Sequence, residues 1–160
     1  MAAIADAETS LKPLLGTEEA TLDSKGRILL SKKKRESLGE DFAMAIGEIG
    51  VLCVYPKQSW KQQCAEIERC DPMNPGRQHY QREFYGKSEA DLSCDTNGRV
   101  VIPSRLRSYA KLKENILIVG CYDHIEIWDP AEYEIYEENP AIYGLKRRES
   151  FTNAYKTMRQ

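Results

Sequence analysis

Histidine is nearly absent from this 160-residue chain: only His79 and His124 occur, far apart, and neither stands near a nucleophile motif of serine or cysteine. Walker, dinucleotide-binding and zinc-finger spacings are missing as well. No enzyme, cofactor or small-molecule substrate is therefore expected. Long apolar runs are also lacking, since the longest, Ile116 to Tyr122, is far short of the ~20 residues a membrane helix needs. CxxC pairs are absent, and the five cysteines (Cys53, Cys64, Cys70, Cys94, Cys121) are an odd number, which favours reduced thiols without a metal. The opening "MAAIADAETSLKPL" carries Asp6 and Glu8 and no basic or apolar block, so a secretory signal is not expected. Residues 1–13 are read as a disordered leader and the chain as cytoplasmic.

An excess of one charge sign is missing too, with 23 Lys and Arg against 25 Asp and Glu. The distribution is uneven, however. Residues 23–35 hold six bases and one acid, whereas residues 129–138 hold five acids and no base. A chain that is slightly acidic overall can still present one basic face. At this length about 68–70% of the unfolded surface can be buried, enough for a proper core.

What is present is a repeat. "DSKGRILLSKKKR" at 23–35 and "DTNGRVVIPSRLR" at 95–107 superpose at an offset of 72, matching Asp23 with Asp95, Gly26 with Gly98, Arg27 with Arg99 and Arg35 with Arg107. Before each motif Ala20 and Leu22, and Leu92 and Cys94, alternate with polar residues as half-buried strands do. Asn97-Gly98 is a strong type I′ hairpin signal, with Lys25-Gly26 in the same place in the first copy. The triplets Ile28-Leu29-Leu30 and Val100-Val101-Ile102 then form return strands, and Pro103 opens a short helix with Leu106, Tyr109, Ala110 and Leu112 inward. Ser31 replaces that proline in the first copy. A second strand pair follows in each unit, "FAMAIG" with "VLCVYP" and "NILIVGCY" with "HIEIWDP", and each unit closes on a helix. Asp129, Pro130 and Glu132 approximate a capping box at the last of these. The expected fold is thus α+β, a pseudo-symmetric tandem repeat whose halves pair their strands, with residues 14–70 and 87–140 as the two units. Residues 71–86 form a helical connector and 141–160 a basic tail, either a helix docked on a neighbour or a loose auxiliary arm.

The doubled D-x-[KN]-G-R-x₃-[PS]-x₃-R, the connector "NPGRQHYQREFYG" and the stretch "IVGCYDHIEIWDPAEY" together resemble the MraZ family of bacterial transcriptional regulators, built from two SpoVT-AbrB-type repeats. The similarity runs from about Leu14 to Asn139, with Leu14 in place of the family's usual Phe and Ser31 in place of its Pro. The resemblance implies a swapped-hairpin or double-split β-barrel fold with short flanking helices. It also implies an octamer-like homo-oligomeric ring that binds double-stranded DNA at short direct repeats upstream of the division and cell-wall operon. A nucleoid-associated location follows.

Matched onto the family motif, Arg27 and Arg99 are the candidates for reading bases, since arginine can make a bidentate contact to guanine. Lys25 and Asn97 suit phosphate or, for the asparagine, adenine, and Ser24 and Thr96 suit phosphate. Lys32, Lys33 and Lys34 are weaker candidates for phosphate attraction. Arg35 and Arg107, weaker still, are expected to brace the fold or a subunit contact. A competing reading pairs Arg27 and Arg99 with Asp23 and Asp95 across each turn. Trp60, Trp128, Tyr133 and Tyr136 are expected in a core or interface. A protein-interaction or antitoxin-like ring of the same fold is the rival to a DNA-binding one, and the polar, basic turns weigh against an apolar partner surface.

Overall fold

The sequence repeat becomes, in three dimensions, an exchange of strands between halves. The computed structural model describes residues 12–139 and 147–160. Most of the proposed leader and the first part of the basic tail lie outside the described residues. In chain order the elements are β1 (Thr17–Thr21), β2 (Arg27–Leu29), α1 (Lys32–Leu38), β3 (Phe42–Ile46), β4 (Leu52–Tyr55), α2 (Lys57–Glu68) and α3 (Pro75–Lys87). There follow β5 (Glu89–Leu92), β6 (Arg99–Val101), α4 (Ser104–Tyr109), β7 (Asn115–Gly120), β8 (Ile125–Trp128), α5 (Pro130–Glu138) and α6 (Arg147–Met158).

Six strands form one antiparallel sheet in the order β1-β7-β8-β4-β3-β5, and β2 pairs with β6 in a separate two-stranded ribbon. Exchanging β1 with β5, β3 with β7 and β4 with β8 only reverses the order, so the two repeats are related by a pseudo-twofold axis. That axis passes through the Ile28–Val100 pair of the ribbon and the Cys53–Glu126 pair of β4 and β8, residues that are equivalent in the two repeats. The fold is α+β from two interlocked repeats, as the sequence implied. The large sheet is open, with β1 and β5 as its edges.

Two local expectations need correction. Strands β1 and β2 do not form a ladder: β1 pairs with β7 and β2 with β6, both in the other repeat. A three-residue strand gains little from its own neighbour, whereas crossing to the other repeat buries Ile28 and Val100 between sheet and ribbon. Nor are the turns type I′, because only Gly26 (φ 75°) and Gly98 (φ 79°) adopt positive φ, and Lys25 and Asn97 do not. In each turn the amide of the glycine bonds the aspartate carbonyl at 3.0 Å, closing a four-residue turn whose last position is the left-handed one.

The sheet separates two layers. On one side Phe42, Met44, Leu52, Val54, Ile116, Ile118, Ile125 and Ile127 pack on the ribbon and on Leu38 and Leu106 of α1 and α4. On the other, Ala45, Cys53, Tyr55 and Trp128 meet Ile67 of α2 and Phe84 of α3, with Trp60, Tyr133 and Tyr136 packed against them. Strand alternation assigns neighbours such as Leu52 and Cys53 to opposite layers. The four aromatics singled out in the sequence thus belong to this second layer, with Trp128 and Tyr133 edge to face at 5.0 Å. Asp129 caps α5, its carboxylate accepting from the amides of Ala131 (3.1 Å) and Glu132 (3.3 Å). The Glu132 side chain faces Lys111 at 3.6 Å.

Candidate nucleic-acid interface

The β2–β6 ribbon has a buried and an exposed face. Ile28 and Val100 point inward, so alternation turns Arg27, Leu29, Arg99 and Val101 outward together. The register sets Arg27 opposite Val101 and Leu29 opposite Arg99, which places the two arginines on a diagonal, Cα atoms on the order of 7–8 Å apart. Leu29 and Val101, half exposed, lie between them. Because the strands run antiparallel, the turn with Ser24 and Lys25 sits at one end of the ribbon and the turn with Thr96 and Asn97 at the other. All four of these side chains are exposed. The sequence suggested two separate hairpin tips; the fold joins them through one ribbon.

Aspartates shape both turns. Asp23 Oδ1 accepts from the amides of Lys25 and Arg27, both at 2.9 Å, and Asp95 Oδ1 accepts from those of Asn97 and Arg99 at the same distances. The bond from the Arg27 amide, reinforced by that side chain's ion pair, holds the Asp23 carboxyl below its usual range, and the Arg99 amide does the same for Asp95. The arginines differ. Arg27 Nε is 2.8 Å from Asp23 Oδ2, whereas Arg99 has no side-chain hydrogen bond or ion pair among the described residues. The competing reading from sequence therefore describes Arg27 and not Arg99.

Arg35 and Arg107 brace the two repeats against each other. A Cβ built on Gly98 would lie 2.8 Å from Cζ of Arg35, and one on Gly26 would lie 2.8 Å from Cζ of Arg107. Each guanidinium thus packs flat on the turn glycine of the other repeat. The turn glycines answer two demands at once, a left-handed backbone and room for a neighbour's arginine. Backbone bonds follow the same exchange, from Leu30 N to Gly98 O (3.0 Å) and from Ile102 N to Gly26 O (2.8 Å). The sole trace of this in the sequence is that glycine and arginine recur with the same nine-residue spacing in both copies.

Lys34 requires a correction as a phosphate candidate. It takes the helix position that Leu106 occupies in the second repeat and is only 4% exposed. Its Nζ donates to the carbonyl of Leu15 and, at 3.4 Å, to that of Gly16. A basic run on a seven-residue helix must turn one of its members inward, and here the ammonium ties α1 to the segment before β1. Lys32 and Lys33 are exposed; Lys32 stands 3.9 Å from Glu36.

Both halves of this arrangement match the model of the MraZ protein family, whose description likens it to antitoxins, over residues 14–83 and 86–158. The chain belongs to the MraZ family. Among relatives, a transcriptional regulator MraZ of Lachnoclostridium phytofermentans is 37% identical over 120 residues, 75% of this chain and 84% of that protein. One from Lactiplantibacillus plantarum is 35% identical over 126 residues (79% and 89%), and one from Thermoanaerobacter sp. is 32% identical over 129 (81% and 90%). MraZ is a family of named regulators rather than of enzymes. Its two matched segments meet near residues 83–86, within α3, so the sequence division falls inside a helix while β1 and β2 cross to the other half. Among the described residues no helix is long and apolar enough to cross a membrane.

Proposed function

We propose that the protein is a sequence-specific DNA-binding transcriptional regulator that reads the major groove with the outer face of the β2–β6 ribbon. The observation that carries this reading is the pairing of Arg27 and Arg99 on one exposed face across the pseudo-twofold axis. A two-stranded ribbon is narrow enough for the major groove, about 12 Å wide, and arginine there discriminates guanine by about 1–3 kcal/mol per bidentate contact. Leu29 and Val101 between the arginines suit thymine methyl groups. Ser24, Lys25, Thr96 and Asn97 at the ribbon ends, with Lys32 and Lys33, contact phosphates and set the register. Arg99, whose side chain no carboxylate among the described residues hydrogen-bonds, carries more of the base reading than Arg27, which first gives up its bond to Asp23.

One subunit neutralises few phosphates, and affinity at physiological salt depends steeply on their number. An octamer-like ring presenting many ribbons to promoter-proximal direct repeats would supply the rest through effective concentration. The targets are those of the family the chain resembles, the division and cell-wall gene cluster, at the nucleoid. A second reading, an antitoxin-like protein-binding ring, draws on the half-exposed Leu29 and Val101.

Fluorescence anisotropy over a salt series separates the two, using DNA from the protein's own upstream region, a scrambled duplex, and the Arg27→Ala, Arg99→Ala double variant. Loss of the preference for its own DNA in a folded, oligomeric variant is the expected result. Equal, purely salt-dependent binding of both duplexes by both proteins would overturn the DNA-reading ribbon.

A further inference from the structure

On the sheet face opposite the ribbon, the pseudo-twofold axis brings together side chains that neither repeat holds alone. Cys53 of β4 is the direct cross-strand partner of Glu126 of β8. His124 stands two residues before Glu126 on the same side, and the candidate ligand atoms of Cys53, His124 and Glu126 all lie within 4.8 Å of one another. Cys121, just beyond β7, stands outside this trio: its amide bonds the His124 carbonyl at 2.9 Å and its thiol donates to the Val119 carbonyl at 3.8 Å. The first repeat contributes one residue of the trio and the second two.

The surroundings favour a cation. Glu126 is partly buried beside two thiols, yet no lysine or arginine among the described residues pairs with it. Its Oε1 accepts from the Trp128 indole at 3.0 Å, which orients the carboxylate and leaves Oε2 available. Asp123 Oδ1 lies 2.7 Å from Nδ1 of His124. A carboxylate on that nitrogen fixes the tautomer and leaves Nε2 with its lone pair, the outer-shell arrangement common around metal-bound histidine. A cleft of about 380 Å³, lined by Cys53, His124 and Glu126 together with Glu48 and Tyr80, connects the group to solvent.

We propose that Cys53, His124 and Glu126 bind one zinc-class divalent transition-metal ion, which staples the first repeat to the second. A thiolate, an imidazole and a carboxylate form a three-ligand set with a fourth position left for water, suited to a borderline-soft cation and ill suited to calcium or magnesium. The Cys53 thiol passes its proton to bulk water as the ion binds. Strand pairing alone already joins β4 to β8; the ion adds a link from β4 to the β7–β8 turn. Cysteines scattered without CxxC spacing hide such a site in the sequence, because its ligands become neighbours only across the sheet.

Cobalt(II) titration of the full-length, reduced, chelator-stripped chain tests this. The expected result is one equivalent bound per chain, with a thiolate-to-cobalt charge-transfer band and tetrahedral d–d bands, both abolished by competing zinc(II). His124→Ala and Asp123→Asn should each weaken binding by about tenfold or more, Cys53→Ser should abolish the charge-transfer band, and Cys70→Ala, at an exposed thiol outside the cluster, should change neither. Zinc should also raise the melting temperature of the wild type and not of the Cys53→Ser, His124→Ala double variant, with circular dichroism checking that each variant folds. Absence of the charge-transfer band, wild-type affinity in the folded double variant, or loss of binding in Cys70→Ala would each overturn the proposal.

Discussion

Replacing Gly98 with alanine tests whether the two repeats are locked by their arginines. The φ of 79° is one that L side chains rarely adopt, which costs about 1 kcal/mol. The new Cβ would also stand 2.8 Å from Cζ and 2.9 Å from Nε of Arg35, contacts that force the guanidinium away. Arg35 Nε is buried without a hydrogen-bond partner among the described residues, so the cost lies in packing and not in a lost bond, and overpacking of this kind costs about 1–3 kcal/mol. The sum, about 2–4 kcal/mol, should lower the melting temperature by roughly 4–16 °C at this chain length. Urea unfolding at fixed protein concentration, followed by circular dichroism, measures it. The specific claim lies in the couplings. Gly98→Ala should be non-additive with Arg35→Ala by about 1–2 kcal/mol and additive within about 0.5 kcal/mol with Arg107→Ala, and the reverse should hold for Gly26→Ala. A loss below about 0.5 kcal/mol, or coupling to the arginine of the same repeat, would refute the exchanged packing.

Lys34→Ala should cost about 2–3 kcal/mol, because it leaves the carbonyls of Leu15 and Gly16 without their charged donor, and should leave the salt dependence of DNA binding unchanged. Lys33→Ala should do the opposite, lowering the log–log salt slope by about 0.9 with stability intact; a salt slope that responds to Lys34 would contradict its inward placement. Asp23 and Asp95 are held below their usual range, so their contribution is fully present above the unfolded carboxyl value of about 3.9 and fades as pH falls through the lower folded values. Asp95→Asn should accordingly flatten the acid limb of the urea midpoint against pH, and an unchanged limb would count against the turn clamp. In chelator-stripped protein, burial pushes the Cys53 and Cys121 thiols up to about 12, so both should alkylate at neutral pH far more slowly than exposed Cys70, as peptide mass mapping would reveal. Labelling of Cys121 as fast as Cys70 would show that its surroundings are more open than the β7–β8 turn allows.

Elements written in short-range chemistry were legible before any fold was known. Short apolar runs marked the β3–β4 and β7–β8 pairs, turn residues beside glycine marked the two turns, and Asp129-Pro130 marked the start of α5, because each depends on residues within a few positions of one another. The repeat itself was legible for the same reason, and with it the two arginines that the ribbon displays. What tertiary structure alone decided is which half each strand joins. The residues of β2 could pair with their own neighbour or with β6, and only the burial of Ile28 against Val100 selects the second. That choice turned two expected hairpin tips into one ribbon and set Arg35 and Arg107 on the opposite repeat's glycines. It also sent Lys34 into a position where its twin is leucine. In the sheet, the crossing of the two halves at β4 and β8 made Cys53 a neighbour of His124 and Glu126. Sequence periodicity records which face a side chain takes, since that depends on its own strand or helix; it does not record what lies across the axis, since that depends on the whole chain closing on itself.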